Sequence, residues 1–322
     1  MTAVVVGSSI AGVRTAQALL SQRYPGPVVV VGEEDRPPYD KPPLSKQLLV
    51  GKAEESSCAL LGADDPAAAA IEFRLGCRAE HLDVSRRRLH LSGGDVVDFD
   101  HLVVATGSRA RPSPWGTGSR VVVLRTMADA LRLRGLLREA ESVAVIGAGF
   151  IGAEVASSAR ALGVEVTLID PLPVPLGRVV GDRAGRLLTD LHAAHGVAVH
   201  FGAGVEGLDA DAEGVTVALT GGGYLRTSIA VVGIGAEPND AWLAASGLAV
   251  ADGLLCDKHC RAVGAEGVLA AGDVARWHHP RHGRDVRVEH WTNAVEQAAC
   301  VAYNIVHPDQ PRPYQPVEYV WT

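Results

Sequence analysis

Cysteine is sparse in this chain of 322 residues, and none of its five cysteines forms a C-x-x-C pair. Disulfide-exchange chemistry is therefore not expected. Cys256, His259 and Cys260 make a C-x-x-H-C cluster, but no second ligand pair lies nearby in sequence. The cluster is read as structural, and no metal site is expected. Long apolar runs are also missing, since none approaches the ~20 residues that span a bilayer. The apolar N-terminal stretch is only strand-length and lacks a basic start or cleavage site, so a cytoplasmic protein with no membrane partner is expected. A basic excess is absent as well. Against 30 Lys and Arg stand 37 Asp and Glu, a net charge of −7, which argues against nucleic acid as a general partner. Arg86-Arg87-Arg88 and residues 278–287 are locally basic. Both read as solvated turns, although a basic loop can also draw an acidic protein partner.

What the chain does have is glycine-rich loops in a repeated setting. One reads Gly7-Ser8-Ser9-Ile10-Ala11-Gly12 and the other Gly147-Ala148-Gly149-Phe150-Ile151-Gly152. With 36 glycines in the chain, one such loop would say little, so the flanks must carry the reading. In the first unit Ala3 to Val6 predicts a buried parallel strand, Ile10 to Leu20 a helix, and Val28 to Val31 the next strand, ending in Glu33 and Glu34. The second unit repeats this with a strand over 143–146, a helix over about 150–162, and a strand over 164–169 ending in Asp170. Backbone N–H groups left unpaired at such a loop, together with the positive end of the helix dipole, hold a pyrophosphate without any basic side chain. Two units thus point to two nucleotides, FAD and NAD(P)H. Glu33 would bond the adenosine ribose of the first. Ser9 replaces the middle glycine of its loop, so a small Cβ must be accommodated where phosphate approaches. Asp170 favours a free ribose 2′-OH and repels a 2′-phosphate, and no Lys or Arg follows before Arg178, so NADH is expected over NADPH.

The length suggests two domains, and 47% apolar with 21% charged residues is ordinary for an α/β protein. Leu269-Ala270-Ala271-Gly272-Asp273 reads as a buried strand entering a turn that belongs with the first nucleotide, although it follows the second unit. The fold predicted is α/β: two Rossmann-like dinucleotide-binding domains, the NAD domain inserted in the FAD domain. The FAD domain would comprise residues 1–112 and 237–310, and the NAD(H) domain 113–236. The crossings fall in the turn-rich segments 111–118 and 235–239. Turns at Ser92-Gly93-Gly94-Asp95 and Thr220-Gly221-Gly222-Gly223 give each half a small antiparallel β-meander, a weak internal repeat that fits duplication.

Taken together, Gly7 to Gly12, Arg36 to Lys46 with its Pro42-Pro43-Leu44-Ser45-Lys46 end, Ala105-Thr106-Gly107, Gly149 to Glu154, Gly233 to Asn239, Gly272-Asp273 and Glu289 to Gln297 resemble the flavin-dependent ferredoxin reductases. These NADH-dependent enzymes feed ferredoxins or rubredoxins of oxygenase and cytochrome P450 systems, within the glutathione-reductase-like superfamily. In disulfide reductases the corresponding stretch carries the redox cysteine pair, and the segment Pro42 to Lys46 has none. The resemblance therefore implies hydride transfer from NADH to FAD N5 and electrons leaving singly to a [2Fe-2S] ferredoxin or rubredoxin.

The resemblance also implies site residues. Lys46 would lie beside the reactive edge of the flavin, paired with Glu154, these two being the catalytic candidates. A buried lysine is costly unless its charge is balanced, which supports such a pairing. FAD contacts would come from Gly7, Ser9, Ile10, Ala11, Gly12, Glu33, Lys46, Ala79, Ala105, Thr106, Gly107, Arg125, Gly272, Asp273, Glu289, His290 and Trp291. NAD contacts would come from Gly147, Gly149, Phe150, Ile151, Gly152, Glu154, Asp170, Gly233, Ile234 and Gly235. Asp273 would bond the ribityl hydroxyls and the Trp291 backbone the pyrimidine end of the ring, while Arg125 is equally readable as a surface ion pair. Asn293 with Glu296 suggests a capping box opening a helix towards Ile305. The family continues beyond Tyr319-Val320-Trp321-Thr322 into an interface domain, of which residues 311–322 would be the start and the remainder absent. Two rivals stay open: an NADH oxidase or small-molecule reductase, and a non-catalytic NADH-sensing flavoprotein. Monomer and homodimer are not separated.

Overall fold

Ala3–Val6 and Val28–Val31 are apolar at every position, and every one of their residues is buried. Strands covered on both faces belong in the middle of a parallel sheet, with helices on either side. The computed structural model describes residues 1–62 and 64–316, and in it these runs are the centre of such a sheet. Its strand order is Val268–Ala270, His101–Val104, Ala3–Val6, Val28–Val31, Ile71–Arg74, parallel throughout. A second five-stranded parallel sheet runs Val197–Phe201, Glu165–Asp170, Ser142–Ile146, Ile229–Val232, Val121–Val122.

The chain divides into two compact units. One holds Met1–Asp40, Ala59–Arg109 and the chain from Glu237 on; the other holds Lys41–Cys58 and Ala110–Ala236. Each contains one parallel sheet and one antiparallel meander: Ala79–Asp83, Arg88–Leu91 and Val96–Asp98 in the first, Val205–Ala210, Val215–Leu219 and Tyr224–Thr227 in the second. The turns expected at 92–95 and 220–223 join strands of these meanders, with Gly93, Gly94, Gly221, Gly222 and Gly223 all at positive φ.

In the first unit helix Ile10–Ser21 packs on helix Trp291–Val306, and the return strand Val268–Ala270 pairs with His101–Val104, which in turn pairs with the opening strand Ala3–Val6. Its core gathers Leu19, Leu102, Trp277 and Val301, all fully buried. Tyr314 also sits in that core, its hydroxyl donating to Asn293 Oδ1 at 2.9 Å. In the second unit the short segment Lys41–Cys58 stays because Leu44, Leu48 and Leu49 are buried and because Ser158 Oγ, on helix Phe150–Ala161, donates to the Ser45 carbonyl at 2.7 Å. The sequence alone assigned this segment to the first domain by position. The threshold of a further domain expected at Tyr319 to Thr322 lies outside the described residues.

The locally basic stretches are met by acids. Arg86 pairs with Asp83 and Arg88 with Asp98 on the meander, and Arg287 lies between Asp252 and Glu289. Among the described residues no helix is long and apolar enough to cross a membrane.

Candidate functional site

Parallel strands in register end together, so the loops that follow them are delivered to one edge of the sheet. In the first unit Val6 is level with Val31 and Val104, and Val104 with Ala270. The residues that follow these four strand ends are Gly7 to Gly12, Glu33, Ala105 to Gly107, and Gly272-Asp273. Four segments scattered over 267 positions of sequence, from Gly7 to Asp273, thus meet at one carboxyl edge.

The loop geometry explains the glycines. Gly7 has φ +120°, and a Cβ there would stand 2.1 Å from the Ala105 carbonyl oxygen; a Cβ on Gly12 would stand 1.8 Å from the Gly7 oxygen. Ser9 is different, with extended φ −96° and ψ −169° that any residue adopts. Its counterpart Gly149 has φ −75° and ψ −173°, and a Cβ there would meet nothing within 4 Å. The middle position therefore does not require a glycine backbone, which is why Ser9 is tolerated there. Helix Ile10–Ser21 opens with no side-chain cap and no acid in its first turn. Its leading N–H groups are left for an anion.

Other residues shape the same edge. Glu33 is exposed at the end of its strand, whereas Glu34 is taken up by the Tyr39 hydroxyl at 2.8 and 2.9 Å from its two oxygens. Ala79 opens a meander strand, buried beside a bulge. Thr106 Oγ1 donates to the Asn239 carbonyl at 2.7 Å, and Asn239 Nδ2 returns a bond to the Thr106 carbonyl at 3.0 Å. Gly272 donates its N–H to the fully buried Gln297 Oε1 at 2.8 Å, and Ser108 Oγ donates to Asp273 Oδ2 at 2.8 Å. Glu289 accepts from Arg287 at 2.6 Å, and Trp291 Nε1 donates to Asp40 Oδ1 at 3.2 Å.

The expected capping box at Asn293 is corrected. The helix begins at Trp291, and its N-cap is His290, whose Nδ1 accepts from the Thr292 N–H at 3.2 Å. Asn293 is buried inside the first turn, its amide spent on the Val288 carbonyl and Gln297.

The second unit repeats the edge. Ile146 is level with Ile169 and Val232, so Gly147 to Gly152, Asp170 and Gly233 to Gly235 converge. Gly147 has φ +100° with a Cβ position 2.2 Å from the Gly233 oxygen, matching Gly7 on Ala105. Helix Phe150–Ala161 again lacks a side-chain cap and a first-turn acid, and Phe150 and Ile151 are solvent-exposed. Asp170 Oδ2 accepts the Ala148 N–H at 2.7 Å and Oδ1 the Leu172 N–H at 2.8 Å. The carboxylate thus braces the glycine loop as well as presenting charge at the strand end.

Lys46 and Glu154 come together, Nζ to Oε1 at 2.7 Å, with only 33% and 17% of the side chains exposed. The other oxygen, Glu154 Oε2, accepts from Ser45 Oγ. Both partners lie in the second unit, as does Arg125. The backbone of Arg125 donates to Asp129 at 3.1 Å, and its carbonyl accepts from Lys41 at 3.5 Å.

Sequence reasoning passed over Ser45, Ser108, Asn239 and Gln297 as individual contributors. Ser45, Asn239 and Gln297 lie inside segments it had singled out, whereas Ser108 follows directly on Ala105-Thr106-Gly107. The C-x-x-H-C cluster is a turn in which Asp257 Oδ1 accepts the His259 and Arg261 N–H groups. Cys256 and Cys260 are core residues, and burial pushes the Cys256 thiol well above its ordinary range.

Two uncapped helix N-termini, a middle-position cradle open to at least 4 Å around Gly149, and acids at both strand ends fit two dinucleotides. Comparison with known proteins agrees. A family profile described as pyridine nucleotide-disulphide oxidoreductase matches residues 1–298. The ferredoxin–NAD(+) reductase component of the anthranilate 1,2-dioxygenase system of Burkholderia cepacia is 36% identical over 321 residues, covering 99% of this chain and 78% of that protein. Putidaredoxin reductase of Pseudomonas putida is 35% identical over 307 residues, 93% of this chain and 72% of the relative. The crystal structure of the covalent putidaredoxin reductase–putidaredoxin complex superposes with a TM-score of 0.92 at 34% identity, covering 97% of this chain and 76% of that one.

Proposed function

The chain belongs to the pyridine nucleotide-disulphide oxidoreductase family, and on that premise we propose that it is an NADH-dependent FAD reductase that passes electrons to a ferredoxin or rubredoxin serving an oxygenase or cytochrome P450. The observation that carries this reading is the doubled sheet edge: two sets of glycine loop, strand-end acid and neighbouring loop, each in register on its own parallel sheet. The relative named as a ferredoxin–NAD(+) reductase component supports the choice of electron acceptor and of NADH, and the putidaredoxin reductase supports the choice of acceptor.

Bound FAD supplies two-electron acceptance from NADH and one-electron release to the iron–sulfur protein. The protein's part is to bind and orient. Residues 1–112 and 237–310 would hold FAD, the N–H groups after Gly7 taking its pyrophosphate and Glu33 its ribose hydroxyls. Asp273, steadied by Ser108, would take the ribityl hydroxyls, with Ala79, Ala105 to Gly107, Arg125 and Glu289 to Trp291 completing the contacts. Residues 113–236 would hold NADH, the N–H groups after Gly147 taking its pyrophosphate. Asp170 meets a free 2′-OH favourably and a 2′-phosphate with like charge. Lys46 provides a positive charge whose counter-ion is Glu154, and the two are the catalytic pair of this reading. No cysteine pair occurs in Pro42 to Lys46, so no dithiol intervenes. None of the five cysteines forms a disulfide, which supports a reducing cytoplasm as the compartment.

Anaerobic rapid mixing tests the proposal. NADH should bleach the bound flavin quickly and NADPH slowly, and added [2Fe-2S] ferredoxin should then be reduced. Bleaching followed by electron loss to oxygen alone, with ferredoxin untouched, would replace the reductase reading with an oxidase; purified protein without flavin would end it.

A further inference from the structure

Ser45 and Lys46 are consecutive residues at the end of the 3-10 turn Pro42–Ser45, yet they reach opposite oxygens of the same carboxylate. Ser45 is 2% exposed, so its hydroxyl has no competing water, while Lys46 keeps a third of its side chain open. The backbone under this pair is itself pinned: Ser158 Oγ, also buried and one helical turn past Glu154, donates to the Ser45 carbonyl at 2.7 Å. Helix Phe150–Ala161 therefore grips the turn at two places, by a carboxylate that accepts from it and by a hydroxyl that donates to it.

A carboxylate with one ammonium partner can swing about its last torsion at little cost, because sp2 termini have broad torsional wells. A second, buried donor on the far oxygen removes that freedom. It fixes the plane of the carboxylate and, through the 2.7 Å contact, the place of the Lys46 ammonium. We propose that Ser45 is a positioning residue for the reductase reaction, holding Glu154 so that the Lys46 charge is presented in one geometry. The inference rests on the function proposed above.

The test is single-turnover anaerobic bleaching of the flavin over a range of NADH concentrations, which separates NADH affinity from the limiting rate. A hydrogen bond to a charged group contributes roughly a tenfold factor or more when lost. Ser45→Ala is therefore expected to lower the limiting rate about tenfold, with NADH affinity within about twofold. Ser45→Thr, which keeps the hydroxyl, should recover most of that loss. Ser158→Ala should act in the same direction and less. In a Glu154→Gln background, adding Ser45→Ala should change nothing further, because a positioning residue acts only through the group it positions. Wild-type bleaching rates in Ser45→Ala, failure of Ser45→Thr to recover, or an undiminished effect without Glu154 would each overturn the inference while leaving the reductase reading intact. A wild-type protein that NADH does not bleach would overturn both.

Discussion

Substituting alanine at two glycines of one loop separates backbone demand from ligand space. Gly147 has φ +100°, and its Cβ would lie 2.2 Å from the Gly233 carbonyl oxygen. A non-glycine residue in that region costs about 1–3 kcal/mol in backbone strain. The overlap is with backbone and not with a yielding side chain, which adds about 1–3 kcal/mol of overpacking. Gly147→Ala should thus cost about 3 kcal/mol or more, lowering Tm by about 6–12 °C at ~2–4 °C per kcal/mol. Gly149, two residues on, has φ −75° and open space for 4 Å around its Cβ position. Gly149→Ala should leave Tm within about 2 °C and weaken NADH by less than about tenfold, under ~1.4 kcal/mol. Differential scanning calorimetry without nucleotide, followed by NADH titration, reads both quantities. If Gly149→Ala melted as low as Gly147→Ala, the argument that the middle position does not require a glycine backbone would be wrong, and so would the account of Ser9.

Asp170→Asn keeps the side-chain shape and removes the charge, so NADPH should gain on NADH by tenfold or more in apparent affinity, about 1.4 kcal/mol; an unchanged ratio would show that Asp170 only braces Ala148 and Leu172. A pH effect is expected at the other end of the first sheet, where the Tyr24 hydroxyl meets His101 Nδ1 at 3.0 Å. Burial, with the Asp100 charge, pushes Tyr24 up to about 12, and burial holds His101 below its ordinary value. A histidine whose folded value is depressed leaves the unfolded chain with more bound protons just below pH 6.5, so its contribution is full above that pH and declines as pH falls. The slope cannot exceed ~1.4 kcal/mol per pH unit for one proton. Urea midpoints between pH 7 and 5 should fall less in His101→Asn than in the wild type, and parallel curves would remove His101 from the explanation.

Two glycine loops, each between an all-apolar run and an alanine-rich helical run, were enough to establish two nucleotide-binding units and the fold class, because such patterns are local and periodic. The strand limits at Ala3–Val6 and Val28–Val31 followed for the same reason: a strand buried on both faces has no polar residue to blur its ends. The acids Glu33 and Asp170 were readable from their place after a strand. The Lys46–Glu154 pairing was reachable only through resemblance to a family, since 108 residues separate the partners. Tertiary structure alone decided the rest. Sheet register brought Gly7, Ala105 and Gly272 to one edge, and nothing local encodes register between strands far apart in sequence. The start of the last long helix depended on whether Asn293 faced water or the core. It faces the core, which left the capping to His290. Ser45 shows the same limit: its type and position are plain in the sequence, but its role arises from a helix that begins more than a hundred residues later and lays Glu154 and Ser158 against its turn.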